Sequence, residues 1–296
     1  MKISIIGTNG FLSNSIGRFF NKNNILLDMY GRSFPEGLLL NEFYYVDLMK
    51  NELPLEKIKN SDVIIYAVGA GIQSNLKEST DTVYKLNVLV PLKIINDLKF
   101  IEFSGSFVSF GSYFEIGENT DNNFFTENEL LQSQNRVVND YSISKRMFSR
   151  FISSFEQPFK TWHFILPTIY GEQESSHRLI PYTINAIKTN TDIEFTAGGQ
   201  VRQYIYIDEI AEIIMLSINK NISSGVYNVA GTESLSVKEL VTNIFNVFNK
   251  EIPESVFGKA KRTDTGMKIL QLDGSKLYNA IDYNPSIKIL DVYDRY

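Results

Sequence analysis

Met1-Lys2-Ile3-Ser4-Ile5-Ile6-Gly7-Thr8-Asn9-Gly10-Phe11-Leu12-Ser13 is the stretch whose reading decides the fold. Ile3 to Ile6 is apolar and rich in β-branched residues, as a buried strand requires. Gly7-Thr8-Asn9-Gly10 is a turn, and Leu12, Ile16, Phe19 and Phe20 recur behind it at helical spacing. A strand, a glycine turn and a helix in succession make a seat for a pyrophosphate. Gly7 permits the tight turn, and Gly10 lets phosphate approach backbone N–H groups at the helix N-terminus. Ser13 stands where the usual fingerprint has a third glycine and is small enough for close packing. The reading is dinucleotide binding rather than a merely structural turn, with Gly7, Asn9, Gly10, Phe11 and Leu12 against the cofactor.

The same alternation continues outward. Ile25 to Tyr30 reads as a second strand. Asp62-Val63-Ile64-Ile65-Tyr66-Ala67-Val68-Gly69 is another, ending in a glycine turn. Phe100-Ile101-Glu102-Phe103 reads as a strand ending in Ser104-Gly105-Ser106, and Trp162 to Leu166 as one closed by Pro167. Short apolar strands separated by helices predict an α/β fold, a Rossmann-type doubly wound parallel sheet. A smaller mixed α/β C-terminal substrate domain is expected over its carboxyl edge. Residues 1–166 form the expected nucleotide-binding domain, to which the chain returns at about 201–227; residues 167–200 and 228–296 form the substrate domain. The polar segment 111–139 reads either as a lid or binding loop or as a tolerated surface insertion.

Composition narrows the chemistry. The 296 residues contain no cysteine, which excludes thiol catalysis and disulfides. His163 and His177 are the only histidines, too few for a histidine metal centre or a serine–histidine triad. A net charge of −5 argues against nucleic acid as a partner. No apolar run reaches the ~18 residues that would cross a bilayer. The expectation is a cytoplasmic protein without membrane insertion.

The end of the second strand bears on which dinucleotide is bound. An NAD site places a carboxylate there for the ribose 2′-hydroxyl. Here the strand ends in Tyr30-Gly31-Arg32-Ser33. Gly31 falls where the carboxylate is expected and leaves room for a 2′-phosphate that Arg32 and Ser33 can bind. Asp28 is a rival carboxylate, but it lies within the strand. NADP(H) is favoured over NAD(H). Asp47, beside Leu48, could accept a hydrogen bond from the adenine amino group.

Tyr141 and Lys145 lie four residues apart, on one face of a helix. A free tyrosine titrates near 10, and a neighbouring cation lowers that value and makes the phenol useful in acid–base work. A serine at the carboxyl end of a strand can hydrogen-bond a substrate oxygen, and Ser104-Gly105-Ser106 offers one. A Ser, Tyr, Lys set suits carbonyl/alcohol interconversion.

Together these residues resemble the extended short-chain dehydrogenase/reductases that act on sugar nucleotides as epimerases, dehydratases and reductases. Gly7 to Ser13 resembles the family's nucleotide loop, Ala67-Val68-Gly69 its turn after the fourth strand, and Asn87-Val88 its helix asparagine near the nicotinamide. Phe103 to Gly111 is similar to its serine strand, which assigns the catalytic serine to Ser106, with Tyr141 and Lys145 as the catalytic pair. Pro167 and Thr168 resemble the segment beside the nicotinamide carboxamide. Residues 199–209 resemble the family's arginine block, so Arg202 is implied at the substrate pyrophosphate and Arg262 as a second phosphate-side arginine. Arg178 lies where the family lines the nucleotide base. The family's dehydratases carry an Asp-Glu pair after the serine; Phe107 and Val108 follow Ser106, which speaks against dehydration.

The resemblance therefore implies an NADPH-dependent reductase of a nucleotide-linked 4-keto-6-deoxysugar, of the kind used for bacterial surface polysaccharides. Its substrate would be a nucleotide-diphosphate sugar. A 4-epimerase with bound NAD is the alternative enzyme, and a non-catalytic NADP-binding sensor or scaffold the alternative of another class. The resemblance also implies a homodimer packed through a four-helix bundle; the apolar stripe Phe148, Phe151, Ile152 and Phe155 reads either as core packing or, in part, as that interface.

Overall fold

The isoleucines of the first strand are fully buried at the centre of a parallel sheet. The computed structural model describes residues 1–72, 77–260 and 266–296. Its strands are β1 (Ile3–Ile6), β2 (Leu27–Gly31), β3 (Leu40–Tyr45), β4 (Val63–Tyr66), β5 (Ser106–Ser112), β6 (Lys160–Leu166), β7 (Thr168–Tyr170), β8 (Val201–Tyr206), β9 (Gly225–Asn228), β10 (Glu233–Ser236) and β11 (Ile269–Leu270). Its helices are α1 (Phe11–Lys22), α2 (Leu55–Ile58), α3 (Thr80–Tyr84), α4 (Val90–Phe100), α5 (Glu127–Gln132), α6 (Asp140–Ser154), α7 (Leu179–Thr189), α8 (Ile207–Lys220), α9 (Val237–Val247) and α10 (Ser275–Ile281).

The larger sheet has seven strands in the order β3-β2-β1-β4-β5-β6-β9, and every pair along it is parallel. Chain direction through the sheet reverses at β1, so a crevice opens between the carboxyl ends of β1 and β4, where such sheets bind ligands. Alternate residues of each strand face opposite sides. Ile3, Ile5, Val63, Ile65, Val108 and Phe164 pack with Ile16 and Phe20 of α1 and Ile210 and Ile214 of α8. Ile6, Ile64, Phe107 and Ile165 pack on the other side with Ile94 and Leu98 of α4 and Phe148 and Ile152 of α6. Two covered faces explain why these strands read as continuous apolar runs.

The smaller sheet is built on β8, which pairs antiparallel with β10 and parallel with β7 and β11. The return to the larger sheet is made by α8, tied to α1 by Ser15 Oγ donating to Asp208 Oδ1 at 2.5 Å, and by β9 on the sheet's edge. Among the described residues no helix is long and apolar enough to cross a membrane.

One expected strand is displaced. Phe100 ends α4 instead of starting a strand, and Phe103 is buried in the turn that follows. Phe103 N–H still donates to Leu98 O, closing the helix, and Glu102 turns the chain with φ 54°. At Gly105 a Cβ would lie 2.6 Å from Asp62 O, so the chain reaches β5 only through a glycine. Segment 111–139 is also more ordered than a loop. It contains the end of β5, a 3₁₀ turn (Tyr113–Ile116) and α5. Asn119 and Phe125 bridge to Met267 and Leu272, stitching the segment to the C-terminal part.

Candidate active site

The nucleotide end of the site follows from the first turn. Gly7 has φ +109°, and a Cβ there would meet Val68 at 3.0 Å. Asn9 is also left-handed, at φ 58°, and donates through Nδ2 to Ser33 Oγ at 2.8 Å. Gly10 N-caps α1, and its N–H lies 3.1 Å from Ser13 Oγ. The first N–H groups of α1, at Phe11 and Leu12, therefore face the crevice with the positive end of the helix dipole. A cleft of ≈ 350 Å³ runs from Arg32, Ser33, Asp47 and Leu48 past Gly7 and Gly10 to Ala67, Val68 and Gly69. Glycine where a Cβ would intrude, a helix N-terminus and an elongated cleft fit a dinucleotide.

At the end of β2 a Cβ at Gly31 would lie 2.3 Å from Thr8 Oγ1, so a side chain there would require Thr8 to move. Asp28 is buried on β2, ion-paired with Lys2 Nζ at 2.9 Å and bonded by Asn41 Nδ2 at 2.8 Å. It faces Ser4 across the ladder, at the other end of the strand from the cleft. Asp47 Oδ1 accepts from Met49 N–H at 3.0 Å, which orders the turn that lines the cleft.

Asn87 joins the cleft to the reaction site. It lies in a π-helical turn (Lys85–Leu89), accepts from Ala70 N–H, and donates to Ala70 O and Ser144 Oγ, each at 2.9 Å. These bonds hold the turn after β4 against α6. A Cβ at Gly69 would come within 3.9 Å of Lys145 Nζ, and one at Gly71 within 3.3 Å of Tyr141 Cβ. The inner end of the cleft therefore abuts the tyrosine–lysine pair.

The expected serine, Ser106, stands at the other edge of the sheet. Ser106 is the first residue of β5, level with Val63 and Lys160, the first residues of β4 and β6. It lines an open depression with Lys59, Ser61 and Asp62 at the amino edge of the sheet. Ser112 ends the same strand at the carboxyl edge, about 20 Å away along a strand of this rise. Ser112, not Ser106, is the serine that acts on the Tyr141 phenol, lowering its value. Ser106-Phe107-Val108-Ser109-Phe110-Gly111 and Ser112-Tyr113-Phe114-Glu115-Ile116-Gly117 share one spacing. The strand that would decide between them was placed six residues early. Carboxylates are still absent from the two positions after the serine, which are Tyr113 and Phe114.

Lys145 Nζ donates to Phe110 O at 2.8 Å and lies 5.9 Å from the centre of the Tyr141 ring. Burial lowers the Lys145 amine to about 8, opposed by the Glu115 carboxylate. Burial raises the Tyr141 phenol to about 12; the Ser112 hydrogen bond and Arg178 oppose the rise, and Glu115 and Tyr113 add to it. The expected lowering of the phenol by Lys145 is not what this arrangement produces. Tyr141 is held protonated, ready to donate.

Beyond the pair, the Tyr113 hydroxyl bonds the Thr168 hydroxyl at the join of the two sheets, just after Pro167. Arg178 caps α7, ion-pairs Glu174 at 2.8 Å and donates to Ile169 O. Arg202, on β8, is buried and donates to Val201 O and Lys268 O. Buried Tyr204, raised by desolvation, lies in the fields of Tyr113, Arg202 and Arg178. Arg262 lies outside the described residues. Ser112, Tyr113, Glu115 and Tyr204 were missed in the sequence; the repeated serine–glycine spacing was the signal for Ser112.

Residues 3–230 match the NAD dependent epimerase/dehydratase family. The chain belongs to that family. It is 25% identical over 262 residues to the CDP-abequose synthase of Salmonella muenchen, covering 86% of this chain and 82% of the relative. It is 25% identical over 162 residues to the dTDP-4-dehydro-6-deoxyglucose reductase of Escherichia coli, covering 52% of this chain and 50% of the relative. The fold is that of the dTDP-glucose 4,6-dehydratase of Bacillus anthracis, solved with NAD, at a TM-score of 0.79 and 17% identity over 100% of this chain and 94% of the other.

Proposed function

We propose that the protein is an NADPH-dependent reductase of a nucleotide-linked 4-keto-6-deoxysugar. A bound NADPH supplies the hydride. The chain supplies the proton: Tyr141 donates it to the ketone oxygen as charge develops there, and Ser112 holds that oxygen through its hydroxyl. Lys145 supplies positive charge beneath both groups. The observation that carries the reading is that the Tyr141–Lys145 pair abuts the inner end of the cofactor cleft, where Lys145 is bonded to the carboxyl end of β5 that Ser112 closes.

The neighbourhood of the serine supports reduction over dehydration. Dehydration needs a proton donor and acceptor beside the sugar, and Tyr113 and Phe114 occupy the two positions after Ser112. The E. coli relative is named a reductase, and the Salmonella relative is named the synthase of a CDP-linked sugar. Arg178 and Arg202 suit the substrate's base side and diphosphate, since a guanidinium binds phosphate through two parallel hydrogen bonds. Gly31, which presents no carboxylate, and Arg32 and Ser33 in the cleft favour the 2′-phosphate of NADP(H) over NAD(H).

A homodimer is part of the reading. Leu89 and Phe100, at the two ends of α4, are exposed, as are Met147 and Phe155 on one stripe of α6. Light scattering would give twice the mass of the 33.8 kDa chain. The function itself is tested by mixing the enzyme with a 4-keto-6-deoxysugar nucleotide and NADPH. One NADPH should be consumed per sugar reduced; turnover that leaves the cofactor pool unchanged would reject a reductase.

A further inference from the structure

Ser112 and Glu115, Thr126 and Glu129, and Ser236 and Glu239 each form a capping box. In such a box the hydroxyl takes an N–H of the first turn, and the glutamate reaches back to the N–H of the capping residue. Glu129 and Glu239 are exposed, as residues that only start a helix can be. Glu115 is 1% exposed, and its Oε1 accepts from the Ser112 N–H at 2.7 Å. What it caps is a single 3₁₀ turn, Tyr113–Ile116. A carboxylate in an apolar core is costly, and starting so short a turn does not call for one.

The surroundings hold Glu115 from every side. Gly111 makes the room: a Cβ there would lie 2.6 Å from Glu115 Oε1 and 2.7 Å from His163 Nε2, and would have to displace both. His163 is fully buried on β6 and is itself fixed at both ring nitrogens, by Ser149 Oγ and Ser109 Oγ, each at 2.8 Å. The Glu115 backbone carbonyl accepts from Arg146 Nε at 2.7 Å. Ser112 thus lies between two ties to consecutive residues of α6, Phe110 O to Lys145 and Glu115 O to Arg146. The backbone on either side of the serine is anchored to the helix that carries Tyr141. The remaining freedom, rotation of the peptide at Ser112 itself, is taken up by the Glu115 carboxylate.

We propose that Glu115 is the positioning residue of the serine: by holding the Ser112 N–H, its buried carboxylate sets the turn from which the Ser112 hydroxyl reaches the ketone oxygen. That role deepens the reductase reading, in which Ser112 holds that oxygen. The box also fixes what the hydroxyl can give. Ser112 Oγ accepts from the Phe114 N–H at 3.4 Å, so a lone pair is engaged within the turn and the one hydroxyl proton is left to donate. A donor is what a developing alkoxide requires.

Glu115→Leu fills the volume without an acceptor, and Glu115→Asp keeps the charge but falls short of the Ser112 N–H. In both, kcat for a 4-keto-6-deoxysugar nucleotide should fall by about 10²-fold, the effect of misplacing a group by about 1 Å, with the sugar KM and the NADPH dissociation constant within about threefold. Glu115→Gln, whose amide oxygen can take the same N–H, should recover most of the loss. A cycle with Ser112→Ala separates positioning from a loosened fold. Added to Ser112→Ala, either variant should cost less than about threefold more, because it acts through a hydroxyl already removed. The aspartate variant carries the same cycle where the leucine variant does not fold. Losses that multiply overturn the proposal, and so does full activity in Ser112→Ala. A crystal structure of Glu115→Asp needs no substrate, and Ser112 Oγ should have moved from its wild-type place beside Tyr141; an unmoved Oγ overturns the proposal as well. Should Ser112 move as expected while the wild type reduces no ketone, the reductase reading fails and the role of Glu115 in placing Ser112 stands.

Discussion

Lys145 Nζ donates to the carbonyl of Phe110 at 2.8 Å, two residues before Ser112 on the same strand. That bond ties α6 to the carboxyl end of β5 and fixes which serine meets Tyr141. Ser112→Ala is expected to lower kcat by about 10²-fold, the usual worth of one positioned donor at a developing oxyanion. Ser106→Ala, at the opposite edge of the sheet, should leave kcat within about twofold. Steady-state rates of the two variants side by side decide the assignment.

Tyr141→Phe removes the proton donor and keeps the ring. Acid–base catalysis by one group contributes about 10²–10⁴-fold, and kcat should fall by that much. The cofactor's dissociation constant, read by fluorescence titration, should change by less than about threefold, because the pyrophosphate seat at Gly7 and Gly10 is untouched.

Arg32→Ala tests the choice of cofactor. A hydrogen bond to a charged group contributes about 1.5–3 kcal/mol, so NADPH affinity should drop about ten- to a hundredfold. NADH affinity should barely move. Equal losses for the two cofactors would remove Arg32 from the 2′-phosphate.

Glu115 links stability to pH. Burial raises its carboxyl from 4.5 to about 7. A group whose folded value is raised stabilises the fold most below its unfolded value, and that contribution is lost as pH rises through the folded one. The wild type should therefore lose up to about 3 kcal/mol between pH 5 and pH 8 from this residue. Lys145, lowered to about 8, contributes the opposite slope, mainly above that pH. Denaturant unfolding at the two pH values should show a smaller drop in Glu115→Gln, whose amide does not titrate.

How much of this was legible in the sequence depended on how local the signal was. Gly7 to Gly10 is read correctly because turn, strand and helix lie within a few residues and each demands its residue types. Tyr141 and Lys145 are legible because a helix turn fixes their relation. The resemblance of Phe103 to Gly111 to the family's serine strand points to Ser106, whereas Phe103 is buried at a helix end and the strand runs on to Ser112. A strand shifted by six residues keeps the same facing pattern, so alternation alone could not reveal the slip. The hydrogen bonds from Ser109 through His163 to Ser149 span 54 residues at their widest and have no local signature. Single polar residues in apolar strands became meaningful only when the sheet brought them together.

The central claim is net reduction by a proton from Tyr141 and a hydride from NADPH. Its most direct measurement uses NADPH carrying deuterium at the transferable position of the nicotinamide, with a 4-keto-6-deoxysugar nucleotide as substrate. One deuterium should appear at C4 of the sugar alcohol, with one equivalent of oxidised cofactor. A sugar product without deuterium, with the cofactor unchanged, would contradict it.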